Sequence, residues 1–250
     1  MEARNDDLNH IRTLLELCEL GLTAIPTDVL QLILLHLFDI DPLYLLHLSE
    51  VCKAFHRAMQ KPTIAAKLKA LRYQLKKDLA MVKQRGSDLQ YVKYQTPQIC
   101  LAAVTRDGRA LEFVQNQTEE ICILAVKEYS WTLEHVKIQT EEICIAAVTR
   151  YGWALQCVKC QTPKICLAAI AENFAVLECI QNQTEKNCLA AVTKCGYALK
   201  FVNDQTPEVC LVAVTNYGLA LEFVKCQTKE ICLVAIAHSP DAARYVKIDL

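Results

Sequence analysis

Gln95-Thr96-Pro97-Gln98-Ile99-Cys100-Leu101-Ala102-Ala103-Val104 is the stretch on which the fold turns, because it comes back. The Gln-Thr pair returns at Gln117, Gln139, Gln161, Gln183, Gln205 and Gln227, always 22 residues on and with no insertion. Residues 95–248 are therefore seven tandem repeats, and a period of this size marks a stacked array rather than a single globular core. A degenerate eighth repeat precedes them in register, with Leu79-Ala80-Met81-Val82, Gly86, Leu89, Tyr91 and Val92.

Each repeat reads as two helices. The threonine is a helix N-cap, its hydroxyl placed to accept from a free backbone N–H. Pro97, Pro163 and Pro207 follow at the first helical position, where a missing N–H costs nothing. The run Ile99–Val104 is apolar on all sides, as a helix buried on most faces would be. A buried strand competes for six apolar residues, but the alanine content and the Thr-Pro-Glu start favour helix. Five of the six glycines, Gly86, Gly108, Gly152, Gly196 and Gly218, share one place just after this helix. Glycine there is expected to supply a left-handed C-terminal residue. A second short helix follows, as in Ala110-Leu111-Glu112-Phe113-Val114, with its apolar residues on one face. At helical rise the two would be roughly 15 and 10 Å long. The cysteine (Cys100, Cys122, Cys144, Cys166, Cys188, Cys210, Cys232) and the alanine three residues later are identical in all seven repeats. Small side chains at fixed places let stacked helices approach closely.

The rest of the composition sets the compartment. The chain has 250 residues, 53% of them hydrophobic, and a net charge of −1, which gives no overall attraction to nucleic acid or anionic membrane. No run reaches the ~18 apolar residues of a membrane helix. The start, MEARNDDLNH, is too polar for a signal peptide, so cytoplasm or nucleus is expected. Of fourteen cysteines, seven sit in the repeated apolar run, where a free thiol acts as a small hydrophobe. That fits a reducing compartment.

Nothing in the sequence assembles into chemistry. Cys157-Val158-Lys159-Cys160, with Cys166 nearby, has metal-ligand spacing but lacks a second paired half with histidine, so core or surface thiols are expected and no metal. The six histidines, at 10, 36, 47, 56, 135 and 238, stand apart from any recurring nucleophile or acid. No phosphate-binding glycine loop occurs. The chain is expected to be no enzyme and to need no cofactor. Residues 61–94 carry nine Lys or Arg against two Asp, which reads as a solvated helix face rather than a nucleic-acid stripe. The informative variation lies at the turn between the two helices. Tyr129 and Trp131, Tyr151 and Trp153, Tyr197 and Tyr217 fall there, and repetition should set them in a row along one edge, either as anchors for a target protein or as satellite core over the second helix.

The N-terminal quarter differs in character. Residues 8–20 carry the helical stripe Leu8, Ile11, Leu14, Leu15 and Cys18, ended by Gly21. Ile25-Pro26-Thr27-Asp28-Val29-Leu30-Gln31-Leu32-Ile33-Leu34 opens a new helix, and Val51-Cys52-Lys53-Ala54-Phe55 closes the module. This segment resembles an F-box, the three-helix motif that docks on the Skp-type adaptor of cullin ubiquitin ligases. Ile25-Pro26 stands at the family's Leu-Pro, Asp28 at its acidic position, and Val51-Cys52-Lys53 with Phe55 at its Val-Cys-basic-x-aromatic end. Ile25 replaces the leucine, Phe55 replaces the usual tryptophan, and the stretch from Phe38 to Tyr44 is about three residues longer than the common loop. The resemblance implies that Ile25, Pro26, Val29, Leu30 and Ile33 meet the adaptor. The repeats are similar to short uncharacterised helical repeats in proteins of large DNA viruses and protists, over residues 74–248, and that likeness implies no activity. A viral chain would work in the host cytoplasm.

The expected fold is thus all-α: an amphipathic helix over 1–21, an F-box-like module over 22–62, a helical connector with the degenerate repeat over 63–94, and a short-repeat α-solenoid over 95–250. The expected function is substrate reception for a cullin-type ubiquitin ligase. A repeat scaffold or decoy that binds a protein without ubiquitination is the alternative.

Overall fold

The computed structural model of the chain describes residues 62–249. The helix expected over 1–21 and the module expected over 22–62, Pro62 apart, lie outside the described residues. A long helix α1 (Pro62–Gln84) comes first, followed by the 3-10 helix η1 (Gly86–Tyr91). Seven pairs follow: α2 (Pro97–Arg106) and η2 (Gly108–Phe113), α3 (Glu119–Glu128) and η3 (Ser130–His135), α4 (Glu141–Arg150) and η4 (Gly152–Cys157), α5 (Pro163–Glu172) and η5 (Phe174–Cys179), α6 (Glu185–Lys194) and η6 (Gly196–Phe201), α7 (Pro207–Asn216) and η7 (Gly218–Phe223), and α8 (Lys229–His238) and η8 (Pro240–Tyr245). Among the described residues the chain is helical throughout, with no strand.

The chain divides into two compact bodies, residues 1–81 with 91–99 and residues 82–90 with 100–250. Within the first, Asp78 is buried on α1 and accepts from Gln74 Nε2 at 2.7 Å. The second is the repeat stack. From α3 onward each α-helix packs on the next, and each 3-10 helix packs on its neighbours, as in an α-solenoid.

Local chemistry starts and stops each repeat. Thr118, Thr140, Thr162, Thr184, Thr206 and Thr228 each cap an α-helix, the hydroxyl oxygen accepting from the backbone N–H three residues on. Those helices are ten residues long. The residue after each is extended, as at Tyr151 (φ −153°, ψ 104°), and its N–H still reaches back to the repeat's alanine carbonyl. The second element is a 3-10 helix of six residues, not a shortened α-helix. With so few residues, tighter i→i+3 bonds such as Ala154 N–H to Tyr151 O close the turn at once.

The glycines correct the sequence expectation. The helix ends in an extended residue, so no left-handed residue is needed. Glycine instead opens the 3-10 helix, against the end of the next repeat's α-helix. A Cβ on Gly108 would lie 2.6 Å from Ala125 O, and one on Gly218 would lie 2.7 Å from Ala235 O. Close approach of two backbones is the reason for this residue.

Eight positions build the core, complete in five of the seven repeats; in 161–182 Phe174 is half-buried, and in 227–248 only Ile231, Cys232, Ala235 and Ala242 are buried. In repeat 139–160 the eight are Ile143, Cys144, Ala147, Val148, Gly152, Ala154, Leu155 and Val158, all buried. The recurring glutamine ties them together. Gln139 Nε2 donates to Leu133 O of the preceding repeat at 3.0 Å and to Cys157 O of its own at 2.9 Å. Its Oε1 accepts from Lys159 N–H at 2.9 Å and from the Cys144 thiol at 3.8 Å. Gln117, Gln183, Gln205 and Gln227 repeat the pattern. Thus the amide joins two adjacent 3-10 helices, and the identical cysteine is its partner as well as a filler. A second tie runs along the helix starts, where the Thr140 hydroxyl donates to Glu119 Oε1 at 2.6 Å and that of Thr162 to Glu141 Oε1 at 2.7 Å.

Repeat 183–204 places an amide in the core. Asn187 occupies the isoleucine position, is 2% exposed, and its Oδ1 has no hydrogen-bond partner. A buried unpaired amide oxygen costs about 1–3 kcal/mol. Asn187→Ile is therefore expected to stabilise the protein by about 1–2 kcal/mol, raising Tm by about 2–8 °C. An unchanged or lower melting temperature would show that the site already satisfies the amide.

Candidate protein-binding edge

The turn that carries the aromatic residues is fixed by the capping geometry above. Two positions of the repeat project from it: the extended residue after the α-helix, and the second residue of the 3-10 helix. Tyr129, Tyr151 and Tyr217 hold the first, and Trp131, Trp153 and Tyr197 the second. The four tyrosines are exposed, from 37% at Tyr197 to 46% at Tyr129. Both tryptophans are half-buried. Anchoring and satellite packing are therefore divided between residue types: tyrosine presents its ring to solvent, while tryptophan lays part of its ring on the stack.

Contacts run across repeats with an offset. The second position of one repeat lies against the first position of the next. Trp131 meets Tyr151 with ring centroids 5.7 Å apart, and the Arg109 guanidinium sits 6.0 Å from the Tyr129 ring. Tyr197 packs edge-on to Phe223 at 5.2 Å and to Phe201 at 6.4 Å. Tilted and edge-to-face pairs at these spacings add to the burial of each ring. Sequence reading missed Arg109 and Phe223, whose partners lie in a neighbouring repeat, and Phe201, which helical spacing puts four residues after Tyr197.

The edge is not one continuous row. Repeat 161–182 places Asn173, Phe174 and Ala175 at the turn, and the Asn173 side chain caps η5 by accepting from Ala175 N–H at 2.9 Å. That leaves one stretch from Arg109 through Trp153 and a second from Tyr197 to Phe223. Charge on the first stretch is largely satisfied internally. Arg109 donates to both Asp107 oxygens at 3.0 Å, and those bonds hold the Asp107 carboxyl below its usual range. Basic side chains at the helix ends turn back onto the stack, Arg106 Nε reaching Gln84 O at 3.1 Å and Lys194 Nζ reaching Glu172 O at 3.0 Å. They cap carbonyls at the negative ends of the preceding helices. The edge therefore offers aromatic surface without a strong net charge.

The thiols of the helices are buried and protonated. Burial pushes Cys100 up to about 11 and raises Cys122, Cys144, Cys166, Cys188, Cys210 and Cys232 in the same direction. Of the pair with metal-ligand spacing, Cys157 is half-buried and Cys160 exposed. Among the described residues no three His, Cys, Asp or Glu side chains are grouped to hold a metal ion, and no helix is long and apolar enough to cross a membrane. Ile25, Pro26, Val29, Leu30 and Ile33, the expected adaptor face, lie outside the described residues. Compared with known families, with curated proteins and with solved structures, the chain shows no match.

Proposed function

We propose that the chain is a protein-binding receptor, and more specifically the substrate-receptor subunit of a cullin-type ubiquitin ligase. The observation that carries the binding role is the exposed tyrosine edge, with its half-buried tryptophans, on a stack held rigid by repeated glutamine ties. Aromatic anchors on a fixed scaffold bind at low entropic cost. The ligase role is supported by the F-box resemblance of residues 25–55, from Ile25-Pro26 to Phe55. The module would grip the Skp-type adaptor, the edge would grip a target, and ubiquitin transfer would occur on other subunits. The chain then needs no catalytic residue and no cofactor of its own.

The test is co-purification of the full chain with a purified Skp-type adaptor, followed by target abundance on expression. Micromolar or tighter adaptor binding, with loss of one captured protein, is the expected result. Adaptor binding without loss of any partner would favour a scaffold or decoy. No adaptor binding at micromolar concentration would overturn the ligase role.

A further inference from the structure

Two repeats end in a thiol that the repeat pattern does not require. Cys160 and Cys226 end their repeats, at the place filled elsewhere by Asn116, Ile138, Asn182, Asp204 and Ile248. Both are exposed. In the same two repeats the buried helix thiols Cys144 and Cys210 donate to Gln139 and Gln205 Oε1, at 3.8 and 3.7 Å. Those same oxygens accept the backbone N–H of Lys159 and Lys225 at 2.9 Å. The residue directly before each exposed cysteine is thus fixed to the atom that the buried thiol touches. Sulfur and amide nitrogen can be no farther apart than these two bonds laid end to end.

Other repeats give the same placement independently. In repeat 117–138 the equivalent residues, Cys122 and Ile138, line one cavity. After burial, the Cys160 thiol raises Cys144, Asp204 raises Cys188 and the Cys226 thiol raises Cys210, each from the same relative position. The last residue of a repeat therefore stands beside the helix cysteine of that repeat as a property of the fold.

We propose that Cys144 with Cys160, and Cys210 with Cys226, form two thiol–disulfide sites, each closing within one repeat and oxidised by a small disulfide such as oxidised glutathione. The exposed thiol is the point of entry. The Cys160 thiolate attacks one sulfur of oxidised glutathione, the S–S bond breaks, and one glutathione thiol leaves. Cys144 then gives its proton to solvent and attacks the Cys160 sulfur of the mixed disulfide. The second glutathione leaves as its thiol, and the Cys144–Cys160 disulfide remains. The protein pair loses two electrons and one oxidised glutathione becomes two reduced ones. The new bond ties the link between repeats to the buried helix and replaces the thiol's contact with the glutamine.

The test treats the full chain with oxidised glutathione at millimolar concentration and maps cysteine states by mass spectrometry. Two crosslinks are expected, Cys144 to Cys160 and Cys210 to Cys226, with four thiols lost per chain while Cys122 and Cys188 stay reduced. Cys160→Ser with Cys226→Ser should keep the helical circular dichroism and leave Cys144 and Cys210 as thiols. Ile138→Cys should add a third crosslink, from position 138 to Cys122. Glutathione retained on Cys160 and Cys226 without crosslinks would overturn the proposal. So would crosslinks joining other pairs, or no reaction at these four cysteines.

Discussion

Gln139→Leu is expected to destabilise the protein by about 3 kcal/mol and to lower Tm by about 6–12 °C. The substitution keeps the size of the side chain but removes three N–H···O bonds of 2.9 to 3.0 Å and a thiol contact. At about 1 kcal/mol net for each N–H···O bond, the loss reaches the stated figure. Gln139→Glu should be at least as damaging at neutral pH, because a carboxylate would then face the Leu133 and Cys157 carbonyl oxygens. Position in the stack matters too. Since Gln139 joins one repeat to the next, the lost energy is an interface energy, and unfolding should become less cooperative. Gln181→Leu is the control: its side chain is exposed, and its cost should stay within about 0.5 kcal/mol. Equal melting temperatures for Gln139→Leu and Gln181→Leu would show that the glutamine ties contribute nothing.

Some of this was legible in the sequence and some was not, for physical reasons. The period shows as direct recurrence of Gln-Thr every 22 residues, and the threonine caps and the buried face of the α-helix depend on neighbours within four residues, as far as local pattern rules see. The glutamine was visible only as a marker. Its partners lie six residues before it and eighteen and twenty after it, so its role appears once the repeats are stacked. Gly108 was misread because a local rule, the left-handed helix stop, answers for most glycines after helices. Its actual constraint is Ala125 O in the next repeat. The aromatic residues were found, but not their pairing. Trp131 meets Tyr151 because the second turn position of one repeat faces the first of the next, an offset that 22-residue spacing alone does not reveal.

Under the proposed function, Leu30→Glu with Ile33→Lys abolishes co-purification with the Skp-type adaptor, an expected loss of 100-fold or more, about 3 kcal/mol or greater. Under the F-box resemblance Pro26 would fix the chain's entry to a helix, and residues 30 and 33, three apart in sequence, would share one side of it. A charge buried at an interface core without a partner is heavily penalised, and two such charges leave no route to partial binding. The core of repeats 95–248 contains neither residue, so helical circular dichroism and target binding should persist. Trp131→Ala with Trp153→Ala should do the reverse. Both side chains are half-buried on the aromatic edge, where truncating an anchor costs about 2 kcal/mol, or about 30-fold in affinity. Adaptor binding should be unaffected while the target weakens. If the charged variant instead unfolds the whole chain, residues 22–60 serve as a cap for the stack. If the tryptophan variant keeps its target at full affinity, binding lies on a different face of the repeats.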